Sequence, residues 1–288
     1  MLAYRHQFHA GNFADVFKHA LLVQLLVTLQ NKDKPLVCLD THAGIGRYDL
    51  THEWARKNAE HVHGVGRLWE RTDAPIGLAR YLELVRSENP DGQLRWYPGS
   101  PVIMRHLLRP VDRMIVNELN RKDHEALAAL FARDRQVKVQ FGDGYQALKA
   151  YLPPPERRAL ILVDSSFDRA RELQRLTQGL ADAHRKFANG VYALWYPLMD
   201  AMSMHGFDRG LRATGIRRLL QLEIAVHPEN WTLGMRGCGL IVVNPPFGFE
   251  EAVAPVVAYL ASVLKQNAGA RLGAAGRRSH RVTWLVPE

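Results

Sequence analysis

Leu36-Val-Cys-Leu-Asp-Thr-His-Ala-Gly-Ile-Gly-Arg47 is the stretch from which the rest of the chain is read. Residues 36–39 are apolar, follow Pro35, and predict a short buried strand bounded by a breaker. The strand ends in Asp40, and a tight run with Gly44 and Gly46 follows. Glycines there let the backbone turn sharply and approach a ligand with no Cβ in the way. In an open parallel sheet, the carboxyl end of a strand is where nucleotide-like ligands bind. The G-x-G spacing lacks the third glycine of a dinucleotide fingerprint, so an ordinary strand-to-helix turn satisfies the same pattern.

Outward from this stretch, strands and helices alternate. Strand 113–118 ends in Glu118 and leads into helix 121–133. Strand 137–143 ends in Asp143, with Gly144 opening a helix through residue 152. After Pro153-Pro154-Pro155 comes the near-continuous apolar strand 159–164, ending in Asp164, as expected at the centre of a sheet covered on both faces. Helix 170–188, strand 191–196, strands 219–226 and 238–244 and a short edge strand 282–286 complete the pattern. Residues 48–97 hold helical patterns but no convincing strand, and exceed a simple crossover. They predict a helical subdomain inserted in a single domain spanning 1–288. The Gly/Ala/Arg-rich segment 269–281 reads as a loop.

The amino-terminal residues 2–19 are dense in aromatic, histidine and basic side chains. Asn12 or Asp15 can cap the helix that continues through residue 29. Lys18 and His19 then fall in its first turns, where the helix dipole disfavours cations, so Lys18 either holds an anion or contacts substrate or is simply solvated, the commoner fate of a lysine. His6 and His9 have no further ligands clustered nearby, so no metal is expected. Tyr97-Pro-Gly-Ser-Pro101 turns into a helical run over 102–108, with Ser100 as its default cap or, failing that, a polar ligand contact.

Nearly half of the 288 residues are hydrophobic, as expected for a soluble globular protein. No run reaches membrane-spanning length and the first residues lack the apolar core of a signal peptide, which predicts a cytoplasmic protein. Two cysteines, Cys38 and Cys238, exclude a disulfide framework and a cysteine zinc site. The net charge of +9 and a pI near 9.7 favour a polyanionic partner, through phosphate neutralisation and counterion release.

Four strands in succession thus end in Asp40, Glu118, Asp143 and Asp164, and in a parallel sheet those ends share one rim. Glu118 is positioned to take two ribose hydroxyls by charge-assisted hydrogen bonds. Asp143 with Gly144 can receive the exocyclic amine and ring edge of an adenine. A nucleoside held without a pyrophosphate cradle points away from NAD and toward S-adenosylmethionine.

The chain resembles the bacterial 23S ribosomal RNA adenine-N6 methyltransferases of the large-subunit methyltransferase J group over essentially its full length. The likeness rests on Tyr4-Arg-His-x-Phe-His-Ala-Gly-Asn-x-Ala-Asp15 with Lys18-His19, Leu39-Asp-Thr-His-Ala-Gly44 with Gly46-Arg-Tyr48, and Tyr97-Pro-Gly-Ser-Pro101. Ala193-Leu-Trp-Tyr-Pro197 and the terminal Val286-Pro-Glu288 extend it. The resemblance implies an α/β, Rossmann-like class I S-adenosylmethionine-dependent methyltransferase fold with a helical insertion, acting on 23S ribosomal RNA; no metal is expected, and the oligomeric state is left open with a monomer favoured. It also implies cofactor contacts at Lys18, His42, Ser100, Glu118, Asp143, Gly144 and Asp164, and a contact of Tyr4 with the RNA.

Adenine-N6 methyltransferases generally carry Asp/Asn-Pro-Pro-aromatic as their catalytic motif. Here Asp164-Ser-Ser-Phe167 has serines in place of both prolines. The N6 lone pair is delocalised into the ring, so an acceptor carboxylate and a backbone carbonyl must hold the amine in a reactive geometry while an aromatic ring stacks the extruded base. Asp164 and Phe167 keep the acceptor and the stacking face, and Ser165 and Ser166 are expected to weaken preorganisation. Asn244-Pro-Pro-Phe247 matches the motif more closely but comes late in the chain, so it is expected to be structural. The competing readings are a DNA adenine methyltransferase and a catalytically weakened RNA-binding relative.

Overall fold

The computed structural model describes residues 5–167, 171–272 and 278–288. Its first half runs α1 (Phe13–Leu29), β1 (Val37–Asp40), β2 (Arg47–Asp49), α2 (Glu53–Asn58), α3 (Ile76–Ser87), β3 (Trp96–Pro98), α4 (Ser100–Leu107), β4 (Arg113–Glu118), α5 (Arg121–Leu130) and β5 (Val137–Phe141). The second half runs α6 (Gly144–Tyr151), β6 (Ala159–Val163), α7 (Glu172–Lys186), β7 (Val191–Pro197), α8 (Ala201–Ala213), β8 (Leu219–Ala225), β9 (Gly237–Val243), α9 (Phe249–Val263) and β10 (His280–Val286).

Eight strands form one sheet in the order β10-β8-β9-β7-β6-β1-β4-β5. From β5 across to β7 every pairing is parallel. β9 runs antiparallel between β7 and β8, and β10 is antiparallel to β8. The strand order reverses between β1 and β6, which makes the crevice outside their carboxyl ends the topological switch point of a doubly wound sheet. The fold is therefore the expected Rossmann-like class I methyltransferase architecture.

Side chains on the strands alternate between two cores, as the period of two requires. Val37, Leu39, Ile161 and Leu194 pack with Leu148 of α6, Leu176 and Leu180 of α7 and Phe207 of α8. Cys38, Val116, Leu160 and Leu240 pack on the other face with α1, α4 and α9. Every residue of α1 from Phe13 to Leu26 is buried, so the helix must be covered all round. The sheet covers one side and α3, α4 and α9 the rest, with Leu78, Tyr81, Leu82 and Val85 of α3 joining the same core. The Asn12 side chain caps α1, accepting from Ala14 N at 2.9 Å and Asp15 N at 3.0 Å. Asp15 is not the cap.

The segment between β1 and α4 differs from expectation at its borders. β2 and β3 pair antiparallel, with Tyr48 opposite Tyr97. Strands of three residues are too short to show a legible alternation. β5 stops at Phe141 because Asp143 turns to cap α6, and β6 stops at Val163 so that Asp164 opens a loop.

Candidate active site

The four acids fall along the carboxyl rim of the parallel strands, as their positions in sequence require. Asp40 and Glu118 end β1 and β4, Asp143 caps α6 just beyond β5, and Asp164 directly follows β6. A cavity of about 410 Å³ opens over this rim, within the ordinary size range of small-molecule sites. Lys18, His42, Ser100, Glu118, Asp143, Asp164 and Phe167 all line it. Gly144 does not line the cavity but packs behind it, and Tyr4 lies outside the described residues.

Backbone ties at the strand ends hold the floor rigid. Asn117 Nδ2 donates to Thr41 O at 3.1 Å and Gly142 O at 2.8 Å, joining the ends of β1, β4 and β5. Gly44 N donates to Glu118 Oε2 at 2.9 Å and Asn120 N to Oε1 at 2.7 Å. Each carboxylate oxygen keeps a further acceptor site, so the pair remains able to receive hydroxyls. Burial raises the Glu118 pKa. Gly44 sits at φ +61°, and a Cβ there would lie 2.3 Å from the Tyr48 hydroxyl, so the turn admits only glycine.

Ser100 is not a helix cap. Gly99 occupies that position, and Ser100 Oγ instead donates to the buried Asp40 Oδ2 at 2.6 Å. His42 N donates to the other Asp40 oxygen at 3.2 Å. Burial pushes the Asp40 carboxyl up to about 7. The His42 ring is half-buried, and desolvation lowers its pKa and keeps it neutral. A Cβ on Gly144 would fall 2.5 Å from that ring and 2.6 Å from Thr41 O, so glycine here lets α6 start directly beneath His42.

Lys18 resolves the misplaced cation. Its ammonium donates to Asp15 Oδ1 at 2.9 Å and to Asp164 Oδ2 at 2.5 Å. Burial alone would drive the Lys18 pKa down, but the two carboxylates hold it well above its ordinary value. Asp15 in turn accepts from Gly11 N at 2.9 Å and lies 2.9 Å from His6 Nε2. Against the opposing effect of burial, His6 and Lys18 hold its pKa well below the ordinary carboxylate value. The adjacent His19 was not among the expected contacts, although the Lys18-His19 dipeptide belongs to the stretch that carries the resemblance. Its Nδ1 is 2.8 Å from the Tyr97 hydroxyl, while its buried Nε2 has no hydrogen-bond partner among the described residues. Burial and the nearby Lys18 keep the ring neutral.

Phe167 meets Trp195 edge to face, with centroids 5.7 Å apart, and both rings line the cavity. Trp195, Pro197, Tyr145, Glu172 and Arg175 also line it and were not assigned from sequence. The first two lie in the quoted Ala193-Leu-Trp-Tyr-Pro197 stretch, which was a signal for them. The others carry none. Asn244 sits at the opposite rim, because β9 is antiparallel to β7 and its end pairs with the start of β7. Asn244 Nδ2 donates to Ala188 O at 2.7 Å and Gly190 O at 2.9 Å, a tie within the scaffold. No cluster of three metal-binding side chains occurs among the described residues, and no described helix is long and apolar enough to cross a membrane.

The model of the family described as ribosomal RNA large subunit methyltransferase D, RlmJ, matches residues 33–275. The chain is 43% identical over 288 residues to ribosomal RNA large subunit methyltransferase J of Escherichia coli (strain K12), with 100% of each chain covered. It is 39% identical over 289 residues to the protein of the same name in Haemophilus influenzae, again with 100% of each covered. A crystal structure of protein LPL1258 from Legionella pneumophila superposes with a TM-score of 0.84 at 33% identity, covering 96% of this chain and 97% of that one.

Proposed function

This chain belongs to the ribosomal RNA large subunit methyltransferase J family, and from that premise we propose that it moves a methyl group from S-adenosylmethionine to N6 of one adenine in 23S ribosomal RNA. The observation that carries the reading is the Asp164 carboxylate, placed at the switch-point rim in one cavity with the Phe167–Trp195 corner and with Glu118 and Asp143.

The residues fit the donor. Glu118 would take the ribose hydroxyls, and Asp143 with the turn at Gly144 would receive the adenine edge. The unpartnered Nε2 of His19 and the neutral His42 supply polar contacts that carry no charge to repel a sulfonium. S-adenosylmethionine, when bound, supplies the electrophilic methyl group.

On the acceptor side, Phe167 and Trp195 would clasp the face and edge of an extruded base. Asp164 would accept a hydrogen bond from N6, turning the nitrogen lone pair toward the methyl group and favouring the positive charge that develops on N6 during attack. Lys18 occupies Oδ2 of Asp164 and so fixes the carboxylate's orientation, leaving Oδ1 for the amine. In this arrangement Lys18 acts through Asp164. The net charge of +9 supplies the attraction to RNA phosphates. Tyr4 is proposed to contact the RNA, and residues 48–97 to form a helical insertion within one methyltransferase domain.

Transfer of tritiated methyl from S-adenosylmethionine to unmodified 23S ribosomal RNA, to duplex DNA and to no acceptor tests the proposal. Label in the ribosomal RNA alone is expected. Label in duplex DNA in preference to RNA, or none in either, would overturn it.

A further inference from the structure

The 164–167 segment lacks the two proline rings that stiffen the corresponding motif in adenine-N6 methyltransferases generally. The same cavity wall carries three side chains that the proposed reaction leaves unused: Tyr145, Glu172 and Arg175. The Tyr145 hydroxyl donates to Glu172 Oε1 at 2.8 Å, and Arg175 donates to Glu172 Oε2 at 3.0 Å. Arg175 also covers the Tyr145 ring, 4.8 Å from its centroid, and comes within 3.5 Å of Asp143 Oδ2.

Glu172 is 3% exposed, and both of its oxygens are taken. It is the first residue of α7, at the far end of the stretch that begins with Asp164. Tyr145 reaches it because α7 carries Gly179, where a Cβ would come within 2.4 Å of the tyrosine ring. The buried Ser165 hydroxyl stands beside that of Tyr145 and moderates the rise in pKa that burial imposes on the phenol. Burial still holds the phenol well above its ordinary value, so it stays protonated and remains a donor. A tie that merely joined α6 to α7 would be served by apolar side chains, without the desolvation cost of a buried carboxylate. Here the polar tie runs from the cofactor-side Asp143 to the start of α7.

We propose that Tyr145, Glu172 and Arg175 form a hydrogen-bonded strut that positions the 164–167 segment against the cofactor side of the cavity, in place of the missing prolines; the inference rests on the adenine-N6 chemistry proposed above. All three are positioning residues.

Single-turnover methyl transfer to unmodified 23S ribosomal RNA is compared for the wild type, Tyr145→Phe, Ser165→Pro/Ser166→Pro and the triple combination, with donor affinity measured by calorimetry. Loss of one hydrogen bond to a charged group predicts a roughly tenfold slower transfer in Tyr145→Phe. Its donor affinity stays within about twofold, since no donor contact is removed. In the proline background the same substitution slows transfer by less than about twofold, because the two devices are redundant. Equal slowing in both backgrounds, or no slowing in the wild-type background, would overturn the strut.

If the proline chain fails to fold, a cycle of Tyr145→Phe and Glu172→Ala decides. A double variant no slower than the slower single supports the strut, and additive slowing overturns it. The wild type run in parallel separates the two claims. A wild type that leaves no N6-methyladenine contradicts the proposed function, whereas normal methylation by both wild type and Tyr145→Phe contradicts only the strut.

Discussion

A lysine in the first turns of a helix opposes the helix dipole, and Lys18 is stable there only because Asp15 and Asp164 flank its ammonium. That pairing makes Asp164 a fixed acceptor and separates it from Asn244, which bonds scaffold carbonyls at the other rim. Asp164→Asn should therefore cut methyl transfer by about 10²–10³ with little change in fold. Asn244→Ala should leave the rate per folded molecule unchanged and lower stability by about 1–3 kcal/mol. Rate assays normalised to folded protein, paired with urea denaturation, check both. Asp40 carries a separate prediction. Its carboxyl holds its proton up to about 7 in the folded chain, far above the value of a free aspartate. The folded state thus binds the proton more tightly, and the stability Asp40 contributes is present in acid and lost as pH rises through about 7. The stability of the wild type relative to Asp40→Asn should fall by up to about 3 kcal/mol between pH 5 and pH 8. A difference that is flat or rises with pH would contradict this assignment.

At the scale of elements, the strands carried most of what could be read in advance. β1, β4 and β6 are short apolar runs with an acid at or just after the end, and parallel pairing puts those acids on one rim. α9 was not legible, because Pro255 interrupts its pattern even though Val253, Val256, Val257 and Leu260 all face the core. α8 was missed for the opposite reason: among its residues only Phe207 and Leu211 are buried, too few to show a period. The strut of Tyr145, Glu172 and Arg175 joins α6 to α7 across a distance in sequence that no local pattern reports. At the junction of β1 with α6, Gly144 leaves no room for a Cβ between His42 and Thr41 O. Gly144→Ala should displace His42 and weaken donor binding at least about tenfold, with about 1–3 kcal/mol lost from overpacking. Calorimetric titration with S-adenosylmethionine and urea denaturation of the same variant measure the two effects. Unchanged affinity would show that His42 and the α6 start do not set the donor site.

Across the whole molecule, one sheet joins the two ends of the reaction. In the proposed reading the donor-side acids come from β4 and the start of α6, the acceptor-side carboxylate from just after β6, and the stacking rings from residue 167 and β7. α1 threads beneath all of these, with Asp15, Lys18 and His19 reaching the cavity. The helices that cover α1 therefore also hold Lys18 against Asp164, so the fold's largest apolar burial and its candidate catalytic carboxylate depend on one helix. The most direct test of the account is nucleoside mass spectrometry of unmodified 23S ribosomal RNA treated with S-adenosylmethionine and either the wild-type chain or Asp164→Asn. The account predicts N6-methyladenosine at a single position with the wild type and a loss of about 10²–10³ in its rate of formation with the variant. Methylation of any other atom by the wild type, or an undiminished rate in Asp164→Asn, would contradict it.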